Sequence, residues 1–198
     1  MIKEILHPDI YYYKNIIPNP NDIVKEIEEM DQYQKFGSQV SKWETWTPHS
    51  NKDVVFGKVK HCYLNLFAND TDADRHNSKL MGMLTYLALT MAEEYAKDHD
   101  IELGYLPVYF GLNKYNVGVE MGPHMDSGYG ADDKSTVSMV IYLNDDYEGG
   151  EIEFPDHNIL LKPEAGSAVV FPSVGCLHDP KATVNGTKYM VPLFFFKR

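Results

Sequence analysis

From Pro107 to the C-terminus the chain is a succession of short apolar runs separated by turn residues, and this rhythm constrains the fold more than any other feature. The runs are Val108–Val117, Thr136–Leu143, Glu151–Phe154, Ile159–Leu161, Ser167–Phe171 and Lys188–Phe196. Between them stand Asn144-Asp145-Asp146, Gly149-Gly150, Pro155-Asp156, Pro163-Glu164-Ala165-Gly166 and Asn185-Gly186. Such residues supply turns through left-handed backbone, a fixed φ or local side-chain hydrogen bonds. Short period-two runs bounded in this way predict strands. Abundant aromatics, 14 Tyr and 9 Phe, suit a pleated, half-buried surface.

The first half reads differently. Ile10 to Ile17 predicts a strand, broken by Pro18, Asn19 and Pro20, with Asn21 or Asp22 capping a following helix. Ile23, Ile27 and Met30 give that helix one apolar face. Residues 31–78 read as loops with short strands at Val54–Val59 and His61–Phe67. Trp43, Trp46 and Phe56 either close the edge of a core there or line a cleft, and the first is the commoner role. Asp70, Asp72 and Asp74 alternate like the start of a calcium loop, but Arg75 stands where Gly is needed and Met81 where Glu is needed, so a solvated loop is expected. A long helix is predicted from about Ser78 to Lys97, with Leu80, Leu84, Leu87, Met91 and Tyr95 in one stripe. Helices first and many short strands later imply an α+β, mainly β protein: a double-stranded β-helix (jelly-roll) core backed by N-terminal helices. At 198 residues this is one domain, with 1–106 as support and substrate loops and 107–198 as the jelly-roll core.

Charge and composition narrow the class of function. Lys and Arg number 18 against 29 Asp and Glu, a formal net of -11, with no basic footprint for phosphate. No nucleic-acid partner is expected. No stretch approaches the ~18 apolar residues of a membrane span, and the N-terminus lacks a signal-like apolar run, so a soluble cytoplasmic protein is expected. Cys62 and Cys176 make neither a disulfide framework nor a zinc site, and are expected to be reduced and buried.

The chemistry sits in Gly122-Pro123-His124-Met125-Asp126. His and Asp two apart on an extended segment face the same way and can bind one ion together. His178, far along the chain, is the candidate third ligand. Two imidazoles and one carboxylate on one face of an ion suit non-haem Fe(II), because the opposite face stays open. Structural zinc would want a fourth ligand, and none is evident. A His-x-Asp pair alone arises readily by chance. Lys188 adds weight: it opens an otherwise apolar strand beyond the Asn185-Gly186 turn. Facing the barrel interior it requires an anion, which a dicarboxylate would supply; facing out, it is an ordinary surface lysine. His157 reads as an exposed turn residue, and Asp179 as either a support for His178 or a surface group.

Taken in order, these segments resemble the prolyl 4-hydroxylase-like group of Fe(II)/2-oxoglutarate-dependent oxygenases. The resemblance runs through Tyr115-Asn116-Val117-Gly118, His124-Met125-Asp126-Ser127, Tyr142-Leu143-Asn144-Asp145, Gly149-Gly150-Glu151 with Phe154-Pro155, the stretch from Lys162 to Phe171, and His178 followed by Gly186 and Lys188. It covers about Val108 to Phe196. It implies a dioxygenase (hydroxylase) using Fe(II), 2-oxoglutarate and O2, with ascorbate as an admissible reductant. His124, Asp126 and His178 would hold the metal. Lys188 would pair with the far carboxylate of 2-oxoglutarate, and Tyr115 and Tyr142 match positions whose hydroxyls bond this co-substrate in relatives.

The substrate side departs from the pattern. Relatives acting on peptidyl proline tend to carry Tyr three residues before the first metal His, where this chain has Met121, and Arg seven residues before the Tyr of the Tyr-Leu-Asn segment, where it has Ser135. Lys134 is adjacent, but on a strand it would face the other way and lacks the planar fork of Arg. A peptide or protein substrate, with proline as the family's target, is therefore expected alongside two alternatives: the same chemistry on a small molecule such as a free amino acid, or a non-catalytic module binding metal or 2-oxoglutarate.

Overall fold

The computed structural model describes residues 1–33, 44–45, 60–62, 72–104, 109–110, 112–126 and 135–198. The chain opens with a hairpin, β1 (Ile2–His7) and β2 (Ile10–Lys14), followed by helix α1 (Pro20–Tyr33). Two short strands, β3 (Glu44–Thr45) and β4 (Lys60–Cys62), precede the long helix α2 (Asp72–Asp98). The strand-rich half comprises β5 (Tyr109–Phe110), β6 (Leu112–Tyr115), β7 (Ser135–Tyr142), β8 (Glu148–Gly149), β9 (Ile152–Phe154), β10 (Ile159–Leu161), β11 (Ser167–Pro172), β12 (Asp179–Pro180), β13 (Thr183–Asn185) and β14 (Lys188–Phe196).

A nine-stranded sheet runs β1-β2-β11-β7-β14-β6-β4-β3, with β5 also on β14. Its central strands are covered on both faces, which is why they read as near-continuous apolar runs. Alternation assigns each side chain to a core. On β7, Val137, Met139 and Ile141 face the helices, while Val140 and Tyr142 face the other way. On β14, Tyr189, Val191, Leu193 and Phe195 join the helix side and Met190 the opposite side.

The helix-side core takes Leu80, Leu84, Ala88, Met91 and Tyr95 from α2 and Ile23 from α1. Leu87, expected in the same stripe, is partly buried against it. The second core lies between the large sheet and the small sheet β10-β9-β12: Tyr12, Val169 and Phe171 meet Ile152, Phe154 and Leu161. Two sheets enclosing a core, with helices behind one of them, form the expected jelly roll. No described helix is long and apolar enough to cross a membrane.

Several elements differ from the sequence expectation. The predicted strand Ile10–Ile17 stops at Lys14, because Asn15 turns into the left-handed region at φ 53°. Helix α2 begins at Asp72 rather than near Ser78, so Asp72 and Asp74 open a helix instead of lying in a loop. The run expected at Val108–Val117 is split into β5 and β6. Strand β1 was not anticipated; nor were β8, β12 and β13, which fall in stretches that read as turns. His157 is half-buried rather than exposed, its ring 4.1 Å from that of His7. The readings at Trp43, Trp46, Phe56, Val54–Val59 and Asp70 fall outside the described residues, as do most of His61–Phe67 and the place of Lys134.

Candidate metal centre

The structure brings His124, Asp126 and His178 together. A two-residue antiparallel bridge does the joining: the His124 N–H donates to the His178 carbonyl at 2.9 Å, and the His178 N–H to the His124 carbonyl at 3.0 Å. Residues that exchange both bonds in this way carry their side chains on one face. Asp126, two residues on from His124, returns to the same side. Its Oδ1 lies 3.5 Å from His124 Nε2 and 3.6 Å from His178 Nε2. The three candidate ligand atoms fall within 4.8 Å of one another, and among the described residues no other group of three His, Cys, Asp or Glu does so.

The imidazoles are set for metal. His124 Nδ1 is 2.8 Å from the Gly122 carbonyl and His178 Nδ1 is 3.2 Å from the Cys176 carbonyl. A carbonyl only accepts, so each Nδ1 carries the proton and each Nε2 presents a lone pair to the centre. Phe171 packs edge-on against His178 at 4.8 Å and fixes the ring plane. Burial would pull the His124 imidazole down, but its bond to Asp126 and to the Gly122 carbonyl raises it overall. His178 is lowered, by burial first, with the neighbouring His124 adding to it. Burial works against the Asp126 carboxylate, yet His124, His178 and Ser138 together hold it below the usual range. Ser138, absent from the sequence reading, is buried on β7 with its hydroxyl 2.9 Å from that of Ser173. Its signal was a polar residue in an apolar strand.

Lys188 is buried at 1 % exposure, so the inward of its two alternatives holds. Its Nζ donates to the Gly150 carbonyl at 3.1 Å and sits 4.5 Å from the centroid of the Tyr115 ring. No carboxylate lies within ion-pair distance of it among the described residues. Burial, then the charge of Lys162, pull its pKa down to about 7. Tyr115, its partner across β6 and β14, is wholly buried; burial pushes its phenol up against the pull of the Asn113 side chain, and its hydroxyl makes no hydrogen bond of ordinary geometry among the described residues. Tyr142 lines the same interior, its phenol pushed up by burial. Tyr115 and Tyr142 both belong to the core between the two sheets. A buried ammonium and an orphaned hydroxyl are what a carboxylate ligand would satisfy.

Two further buried hydroxyls without partners, on Tyr147 and Thr183, escaped the sequence reading. Both lie in stretches that look like turns. Asp179, which the sequence left between two roles, pairs with Lys181 at 2.6 Å, and Lys181 also pairs with Glu153. Met121 packs partly buried against the barrel core. Cys176 is a buried free thiol pushed up to about 12.

Residues 110–196 match the 2OG-Fe(II) oxygenase superfamily model. The chain is 34 % identical over 81 residues to a PKHD-type hydroxylase of Acaryochloris marina, covering 39 % of this chain and 36 % of that protein. A PKHD-type hydroxylase of Rippkaea orientalis is 35 % identical over 87 residues, covering 40 % and 39 %. The chain thus spans less than two-fifths of the length of these relatives. In fold, the chain aligns with a prolyl-4-hydroxylase of Pseudomonas putida at TM-score 0.64 and 16 % identity, over 96 % of this chain and 93 % of that one. It aligns with a prolyl hydroxylase of Trichoplax adhaerens, solved with a peptide fragment of hypoxia inducible factor, at TM-score 0.69 and 15 % identity, over 96 % and 84 %.

Proposed function

We propose that this chain is an Fe(II)- and 2-oxoglutarate-dependent dioxygenase that hydroxylates an unactivated C–H bond of a peptide or protein, with prolyl residues as the leading target. The observation that carries the reading is Lys188, a buried ammonium with no carboxylate against it among the described residues, in the same barrel as a two-histidine, one-carboxylate triad. The match of residues 110–196 to the 2OG-Fe(II) oxygenase superfamily model supports it. The PKHD-type hydroxylases and the peptide-bound Trichoplax protein support a prolyl, peptidic substrate. In this reading residues 1–198 act as one oxygenase domain, 1–106 backing the barrel and 107–198 carrying the site.

His124, Asp126 and His178 would hold the iron, which fits their donor set: two Nε2 lone pairs and one carboxylate oxygen converging from one side. Iron bound there supplies activation of O2, coupled to conversion of 2-oxoglutarate to succinate and CO2 and transfer of one oxygen atom to substrate. The protein's work is placement. The Gly122 and Cys176 carbonyls keep both imidazoles in the ligating tautomer. Lys188 neutralises the far carboxylate and the Tyr115 hydroxyl donates to it, so the keto acid end is directed at the metal. The aromatic interior built by Tyr12, Tyr142, Phe154 and Phe171 excludes water from that contact. A cytoplasmic setting and ascorbate as reductant complete the proposal and rest on the sequence reading alone.

The test is product mass spectrometry on a library of prolyl peptides, other peptides and free amino acids, supplied with Fe(II), 2-oxoglutarate and O2. The expected product is a peptide one oxygen atom heavier at proline, absent with His124→Ala. Oxygen added to a free amino acid alone would move the substrate to the small-molecule class. No product together with no succinate would contradict the enzyme reading.

A further inference from the structure

Among the described residues three buried side-chain hydroxyls lack a hydrogen-bond partner, those of Tyr115, Tyr147 and Thr183, and all three border the turn that holds Lys188. Tyr115 is the register partner of Lys188. Thr183 is the register partner of Gly149. Tyr147 flanks Gly150: a Cβ placed on Gly150 would meet Tyr147 Cε2 at 2.8 Å and Lys188 Cδ at 3.3 Å. The ring carbon of Tyr147 next to its hydroxyl-bearing carbon and the Lys188 stem thus border the same point beside Gly150, the space that a side chain at position 150 would fill. Gly150 also holds φ at +67°, a conformation L residues rarely adopt.

Tyr147 does not sit there loosely. It is 6 % exposed. Lys162 Nζ stands 3.5 Å from its ring centroid and donates to the Tyr147 carbonyl at 2.9 Å and the Gly149 carbonyl at 2.5 Å. Gly186, at φ +78°, lets the following turn close against the Tyr147 backbone, with a virtual Cβ 3.1 Å from Tyr147 Cα. Packing alone would be served as well by Phe, since an unpaired buried hydroxyl is a liability.

We propose that the Tyr147 hydroxyl is a further donor to the carboxylate that Lys188 binds, so that Tyr147, fixed in place by Lys162, helps the site select a dicarboxylate co-substrate over a keto acid with one carboxylate. This deepens the dioxygenase reading and rests on it. The hydroxyl stays idle in the ligand-free protein and gains its partner only with the ligand.

The experiment uses the full chain loaded with Zn(II), which does not turn over, and measures binding by calorimetry. The ligands are 2-oxoglutarate and 2-oxobutyrate, which shares the keto acid end but lacks the second carboxylate. Tyr147→Phe is expected to weaken 2-oxoglutarate roughly tenfold, as loss of a hydrogen bond to a charged group does, and to leave 2-oxobutyrate unchanged. The ligand-free melting temperature should hold or rise, because the hydroxyl removed was unpaired. Equal 2-oxoglutarate affinity in the two proteins, or an equal loss for both ligands, would overturn the role of Tyr147 while leaving the dioxygenase reading in place. A wild-type protein that binds no 2-oxoglutarate would overturn both.

Discussion

Lys188 is the residue on which stability and binding pull in opposite directions. Burial and the charge of Lys162 hold it down to about 7, against an ordinary value of 10.5. Between these values the unfolded chain binds the proton and the folded chain does not. Stability of the ligand-free protein therefore rises with pH through that window, and the whole penalty is present below about 7. Lys188→Met, which keeps the length and removes the charge, should abolish this gain and match or exceed wild-type stability at pH 7. Urea unfolding at several pH values reads the difference; a constant gap between the two proteins from pH 7 to 10 would contradict it. The same variant should lose 2-oxoglutarate affinity by roughly a hundredfold, the worth of a charge-assisted contact. An anion against the ammonium restores its proton, so binding at pH 8 should draw in about one proton in wild type and none in the variant.

At the scale of elements, the short β8–β13 pair sets the position of Lys188. Gly149, at φ +71°, packs so tightly on β13 that an added Cβ would collide with the Ala182 carbonyl and stand 2.8 Å from Val184 Cγ2. Its own carbonyl anchors Lys162. Gly149→Ala must therefore both strain the backbone and part the strands. We expect a loss of about 2 kcal/mol in urea unfolding, with weaker 2-oxoglutarate binding. A change under about 0.5 kcal/mol would show that the turn yields without cost. These small strands were also where the sequence misled. At two or three residues, β8, β12 and β13 are too short to show a period. Strand β1 failed for another reason: it is an edge strand exposed along most of its length, so no buried alternation marks it.

Across the whole molecule, what was legible followed burial on two sides. The strands β7, β11 and β14 lie between two cores and announced themselves as apolar runs; α2 showed its stripe because it packs flat on the sheet. The triad was legible because two of its members sit two apart on one segment, and the fold then closes His178 onto them through a single bridge. Lys188 was legible as a charge at the head of an apolar strand. Tyr147 was not, because its burial is made by the folded Gly149-Gly150 turn and by Lys162, neither of which leaves a pattern in the Asp-Asp-Tyr-Glu stretch around it. The proposed division of labour places oxygen chemistry on the triad and co-substrate choice on the Lys188 turn. The most direct test supplies isotopically heavy O2 to the Fe(II)-loaded chain with 2-oxoglutarate and an unmodified peptide that the library screen identifies as a substrate. A dioxygenase of this kind places one heavy atom in succinate and the other in the peptide. Succinate without the label, or no succinate at all, would contradict it.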